Sequence, residues 1–204
     1  MRNRLSGRRL LDAFDRLHSP MGIWRLLAAL AIAFAGITAS YAQSGEGKKL
    51  LNEGQSAYQR GDLSGAVQLW ELAMGALERE FGESHTDTIN SIRNLAIAYR
   101  DLGQYDKEQP LREKVLQLRR AKLGEDHQLT LAAMSNLALT YVALGQYDKA
   151  LALNEQTLQL RRTKLGADHP DTLASMNNLV VVYIDLGQYD KALALNEQTL
   201  VLRI

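Results

Sequence analysis

Residues 144–158 read LGQYDKALALNEQTL, and residues 186–200 repeat the same fifteen letters. Shorter echoes lie upstream: LGQYDK begins again at Leu102, and Gln59-Arg60-Gly61-Asp62-Leu63 stands in the same phase. Gly61, Gly103, Gly145 and Gly187 are 42 residues apart, as are Gly82, Gly124 and Gly166, and His85, His127 and His169. Segments 124–162 and 166–204 share 27 of 39 positions, so duplication of a 42-residue unit built this chain. A fixed period of that length marks a repeat array.

Each unit reads as two helices. After Asp168 and His169, both able to cap, Pro170 suits a first helical turn, where its missing N–H has no partner to lose. Leu173, Met176, Leu179, Val180 and Tyr183 then recur at steps of three and four, one apolar helical face. Gly187 stops that helix, and a second begins near Tyr189. The pattern predicts hairpins over 44–81, 86–123, 128–165 and 170–204, with Pro110 in the first turn of its helix. A lone hairpin cannot bury its apolar face. Stacked hairpins can, so the expected fold is all-α, a right-handed solenoid of about four hairpins. In the last hairpin Ala192, Leu193, Leu195, Leu200 and Leu202 are expected to face inward. The flank that a fifth unit would cover, including Leu195 and Val201, is expected to be open and uncapped, so that the hairpin frays or the chain associates end to end.

Bulk composition agrees with a folded protein: 46% of the 204 residues are apolar, 23% are charged and three are proline. The formal charge of +1 is unevenly spread. Six arginines lie within residues 1–42, and residues 43–204 carry 18 basic against 21 acidic side chains. A mildly acidic array gives no electrostatic reason to bind nucleic acid. There is no cysteine, so disulfides and thiolate chemistry are excluded.

The N-terminal 42 residues read as an address. Arg25 precedes the apolar run LLAALAIAFAGI at 26–37, and Ser40-Tyr41-Ala42 places small residues where a signal peptidase inspects. Cleavage after Ala42 is expected, with export to the periplasm or the medium. A start at Met21 gives a more compact leader. The apolar run is shorter than the roughly 20 residues of a membrane-spanning helix, so membrane association requires that the segment be retained.

Leu95, Ala96, Tyr99, Gly103 and Tyr105 in one unit, Leu137, Ala138, Tyr141, Gly145, Tyr147 and Ala150 in the next, and Leu179, Tyr183, Gly187, Tyr189 and Ala192 in the last resemble the tetratricopeptide repeat. With the G-x-x-H-P-D-T linker, complete at Gly166–Thr172, the 42-residue form is similar to that of kinesin light chains and their bacterial relatives. The first unit, with Gly54, Tyr58, Gly61, Ala66, Trp70 and Ala73, resembles the shorter general form. Glu108 departs from the family's alanine, and Asn154 and Asn196 from its bulky aromatic.

The resemblance implies a groove lined by the first helix of each hairpin. Its positions fall on Asn90, Arg93, Ile97 and Arg100; on Ser135, Leu139 and Val142; and on Asn177, Val181, Ile184 and Asp185. Apolar and hydrogen-bonding residues interleave there, which suits an extended peptide. Arg93 and Arg100, on one helical face, are placed to receive an acidic side chain. Asn94, Asn136 and Asn178 share one phase, either lining the groove or tying helices together. The three in-phase histidines cannot share a metal ion: equivalent positions in stacked hairpins lie on the order of 10–20 Å apart, whereas ligands lie about 2 Å from their ion. No metal, cofactor or catalytic group is expected. The expected function is a non-catalytic protein- or peptide-binding scaffold of the bacterial cell envelope. The alternatives are the sensing part of a longer caspase-like protease protein and a membrane-tethered assembly factor.

Overall fold

The computed structural model describes residues 45–202; the leader expected over residues 1–42 and the final Arg203-Ile204 lie outside the described residues. Eight helices and no strand occur among the described residues. In chain order they are α1 (Glu46–Gln59), α2 (Leu63–Phe81), α3 (Thr86–Asp101), α4 (Tyr105–Leu123), α5 (Gln128–Ala143), α6 (Tyr147–Leu165), α7 (Pro170–Asp185) and α8 (Tyr189–Val201). From α2 onward each helix packs on the next, and α5 also touches α7, two helices on. The all-α repeat solenoid expected from the 42-residue period is the fold observed.

Local chemistry sets the helix ends. His85, His127 and His169 are the N-caps of α3, α5 and α7, and each Nδ1 accepts the backbone N–H two residues on, at 3.2, 3.1 and 3.1 Å. Each linker histidine thus holds one of a helix's unpaired donors. At the other end of α7, Gly187 takes φ +70°, and the N–H of Gln188 donates to the carbonyl of Tyr183 at 2.8 Å. A left-handed residue there satisfies the last carbonyls, and only glycine adopts that conformation without a steric penalty. Within the first hairpin, Gly54 lets α1 press on α2: a Cβ at that position would lie 2.5 Å from the Trp70 ring.

The core runs as a strip from hairpin to hairpin. Trp70, Leu95 and Tyr99 fill its first section; Ile92, Leu116, Leu131 and Met134 the second; Leu158, Met176, Leu179 and Leu195 the third. Polar clasps repeat beside it. Tyr99, Tyr141 and Tyr183 donate to Glu71, Glu113 and Glu155 of the preceding hairpin at 2.6, 3.0 and 3.1 Å. Lys107, Lys149 and Lys191 lie over the same three rings, 5.2–5.5 Å from their centroids.

Burial, and then the carboxylate acceptor, push the phenols of Tyr99 and Tyr141 up to about 12. The folded state therefore favours the neutral phenol. Its contribution is complete below the ordinary tyrosine value of 10 and is lost as pH rises from there through about 12. Urea unfolding at intervals from pH 9 to 12 should show stability falling across that window. The fall should be shallower in Y99F/Y141F. An identical slope in the double variant would remove these hydroxyls from the balance.

Two expectations are corrected. Pro110 is the sixth residue of α4, not in its first turn, because the helix already starts at Tyr105 behind Gln104. In α8 the buried residues are Ala192, Leu195 and Thr199, at steps of three and four, so Leu195 faces inward. That register turns Leu193 and Leu200 outward. Leu200 is 64% exposed, whereas its counterpart Leu158 in α6 is 6% exposed beneath Met176 and Leu179 of α7. The two helices share their sequence over these positions, so the covering neighbour accounts for the difference.

Candidate functional site

The three 42-residue hairpins place equivalent residues of α3, α5 and α7 in columns. Ile97, Leu139 and Val181 form one column, Arg100, Val142 and Ile184 another, and Arg93, Ser135 and Asn177 a third. Leu139 of α5 and, on successive turns of α7, Val181 and Ile184 are about half exposed. Arg100, Asn177 and Asp185 are exposed beside them, and Asn90, Arg93, Ile97, Ser135 and Val142 are half-buried. The face is therefore accessible, apolar towards α7 and basic towards α3. Asn94 is buried and accepts from Arg93 Nη2 at 3.1 Å, so its amide supports that arginine. Asn136 and Asn178 are half-buried.

The basic end is held by groups that sequence reading did not assign to it. Arg100 donates through Nε and Nη2, both 3.0 Å from Oδ1 of Asp101, and Asp101 also accepts from the Tyr58 hydroxyl of α1. Burial alone would raise the Asp101 carboxyl. The bonds from Tyr58 and Arg100 and the charges of Arg100 and Arg112 outweigh it and hold the group below the usual aspartate range.

Behind α3, Arg112 of α4 donates through Nε to Glu108 Oε1 at 2.8 Å, with side chains 4% and 1% exposed. Glu108 and Arg112 stand where the first hairpin has Ala66 and Trp70. A buried ion pair has replaced a small–large apolar contact. Burial lowers the Arg112 guanidinium, Glu108 opposes that, and Arg100 and Arg93 add to it by repulsion. Arg112 and Arg119 are seven residues apart on α4, as Arg93 and Arg100 are on α3, and that matched spacing is the signal that could have revealed them.

Among the described residues no group of acidic, histidine or cysteine side chains is arranged to hold a metal ion. No described helix is long and apolar enough to cross a membrane.

The tetratricopeptide repeat family model matches residues 47–121, 109–163 and 136–203. The chain belongs to the tetratricopeptide repeat family. Among solved structures it is similar to nearly identical TPR-like repeats from a Podosopora anserina protein assigned to the kinesin light chains. That structure gives a TM-score of 0.68 at 29% identity, over 76% of this chain and 74% of that one. BtubC (BKLC) from P. vanneervenii shares the fold, with TM-score 0.71 at 18% identity over 97% of this chain and 85% of that one. The apo form of RapI does so with TM-score 0.67 at 16% identity, over 86% of this chain and 47% of that one. No curated protein matches the chain. Tetratricopeptide arrays are scaffolds typical of protein–protein interaction.

Proposed function

We propose that this tetratricopeptide array is a non-catalytic scaffold of the bacterial cell envelope that binds an extended peptide or protein segment along the α3–α5–α7 face. The observation that carries this reading is where the last two hairpins differ. Their second helices are identical over 147–158 and 189–200. Their first helices differ at every groove position named for α7: Ser135 against Asn177, Leu139 against Val181, Val142 against Ile184 and Ala143 against Asp185. The core columns Met134/Met176, Leu137/Leu179 and Tyr141/Tyr183 are unchanged. Buried positions change as well, Ala133 to Ser175 and Thr140 to Val182. The Met, Leu and Tyr core columns are nonetheless kept while every groove position changes, which suits a surface on which each repeat reads a different ligand residue. The face offers apolar side chains towards α7 and arginines towards α3, which suits a peptide with aliphatic or aromatic residues at one end and an acidic residue at the other. Export rests on the leader-like residues 1–42.

The test purifies the exported protein from envelope extract, identifies its first residue by mass spectrometry, and compares what co-purifies with L139E/V181E. The first residue should be Gln43. The double variant should weaken partner binding at least tenfold, roughly 1.4 kcal/mol, while Leu72→Glu, at an exposed position of α2, should not. Equal binding by L139E/V181E, with unchanged circular dichroism, would take the ligand off this face.

A further inference from the structure

Twelve positions differ between segments 124–162 and 166–204, and nine of them lie in the first helices, α5 and α7. The other three all place an apolar residue where the preceding hairpin has a charged or polar one: Ala167 for Glu125, Val201 for Gln159 and Ile204 for Arg162. Ile204 lies outside the described residues. The structure brings the other two together. Ala167 and Val201 line one cleft of about 730 Å³ between the end of α6 and α8, shared with Arg162, Glu197 and Gln198.

One hairpin earlier the same place is bridged. Arg120 donates through Nε and Nη2 to Glu125 Oε1 at 3.0 and 2.7 Å, and Gln156 Nε2 donates to that oxygen at 3.0 Å. With alanine at 167 the carboxylate is gone, and the exposed Arg162 keeps only Gln198 Oε1, at 3.5 Å. A following hairpin does not account for the valine. Gln159 stays exposed although α7 and α8 follow it, and Val201 is 72% exposed. An aliphatic side chain at a position that stacking leaves in water is stabilised only by contact with another molecule. The cleft also carries its own complement. Glu71, Glu113 and Glu155 each accept a tyrosine hydroxyl of the next hairpin, whereas the exposed Glu197, next in that column, accepts none among the described residues. One cation without a carboxylate and one such carboxylate thus flank an apolar wall that Ala194 and Leu202 complete.

We propose that this cleft is the contact between two copies of the chain, a two-fold dimer in which Arg162 of each copy pairs with Glu197 of the other across the Ala167–Val201 wall. In a two-fold contact residue i meets residue j while j meets i, so one surface bearing both charges satisfies itself. Arginine suits the position because its planar fork binds a carboxylate through two parallel bonds, as Arg120 binds Glu125 within the chain through Nε and Nη2. The contact lies on the second helices and the linker, and it rests on neither the recognition face of α3, α5 and α7 nor the ligand of that face.

The experiment follows the full chain by sedimentation equilibrium over a wide range of concentration, with circular dichroism to confirm that each variant is folded. The wild type should show a monomer–dimer equilibrium. A167E/V201Q carries the residues that the preceding hairpin holds at these places, and it should weaken the dimer at least about tenfold. R162E and E197R each set like charges against one another and should weaken it as much, whereas the exchange R162E/E197R should restore the wild-type constant. L139E/V181E, on the recognition face, should dimerise as the wild type does, so failure of the peptide reading leaves this result standing. A monomer at every concentration overturns the proposal, and so does wild-type dimerisation by A167E/V201Q. A folded R162E/E197R that dimerises no better than the single variants overturns the two-fold pairing.

Discussion

Glu108→Ala is expected to cost about 3–5 kcal/mol of folding stability, the usual penalty for leaving one member of a buried ion pair without the other. Arg112 cannot escape to water: its side chain is 4% exposed, and its Nε bond to Glu108 Oε1 at 2.8 Å is the one strong interaction it makes. Such a loss is a large share of the 5–15 kcal/mol typical of a domain. Two apolar groups could do the same packing without the desolvation cost, so E108A/R112M should regain most of it. Alanine already stands at this position in the other hairpins, as Ala66, Ala150 and Ala192. Tryptophan, as at Trp70, is not a suitable second replacement. Trp70 fits against Gly54, and the α3 counterpart of Gly54 is Ala96, fully buried. Urea unfolding of the wild type and both variants decides the matter. A loss below about 1 kcal/mol in Glu108→Ala would mean that Arg112 is hydrated and the pair is not internal.

The period and the turn glycines were legible because an array repeats its solution. Gly187 and the letters around it specify the same turn as Gly145 and Gly103, and one correct reading carries to every hairpin. Column membership on α3, α5 and α7 was legible for the same reason. What the sequence concealed is where one hairpin departs from its neighbours. Glu108 reads as an unfavourable replacement of alanine until Arg112, one turn on, is seen to bond it. Ala167 reads as an ordinary linker residue until its cleft is compared with the place that Glu125 bridges. The register of α8 was also misjudged, although the answer lay in the repeat itself. Thr199 matches the buried Thr157, and a step of four back from Thr199 reaches Leu195 rather than Leu193 or Leu200. Hydrophobicity alone ranks leucine above threonine for burial, whereas the helical step decides which of them points inward.

Pro110→Ala should raise stability by about 2 kcal/mol. An interior proline costs about 3 kcal/mol or more through a missing hydrogen bond and a clash with the carbonyl four residues back. The gain is reduced by up to about 1 kcal/mol because the unfolded chain with alanine has more freedom to lose. Here the carbonyl concerned is that of Asp106, within α4, and both Asp106 and Pro110 belong to exposed residues. Water can therefore reach the freed group, and the helix survives its proline rather than ending at it. Ala152 and Ala194 occupy this position in α6 and α8, so the replacement is one the repeat already accommodates. For a folded array of this size the change corresponds to roughly 4–8 °C in melting temperature. The substitution touches neither Glu108–Arg112 nor the recognition face, so binding should be unaltered while the melting temperature rises. An unchanged or lower melting temperature would mean that α4 begins late enough in solution for Pro110 to stand in its first turn, where the missing N–H has no partner to lose.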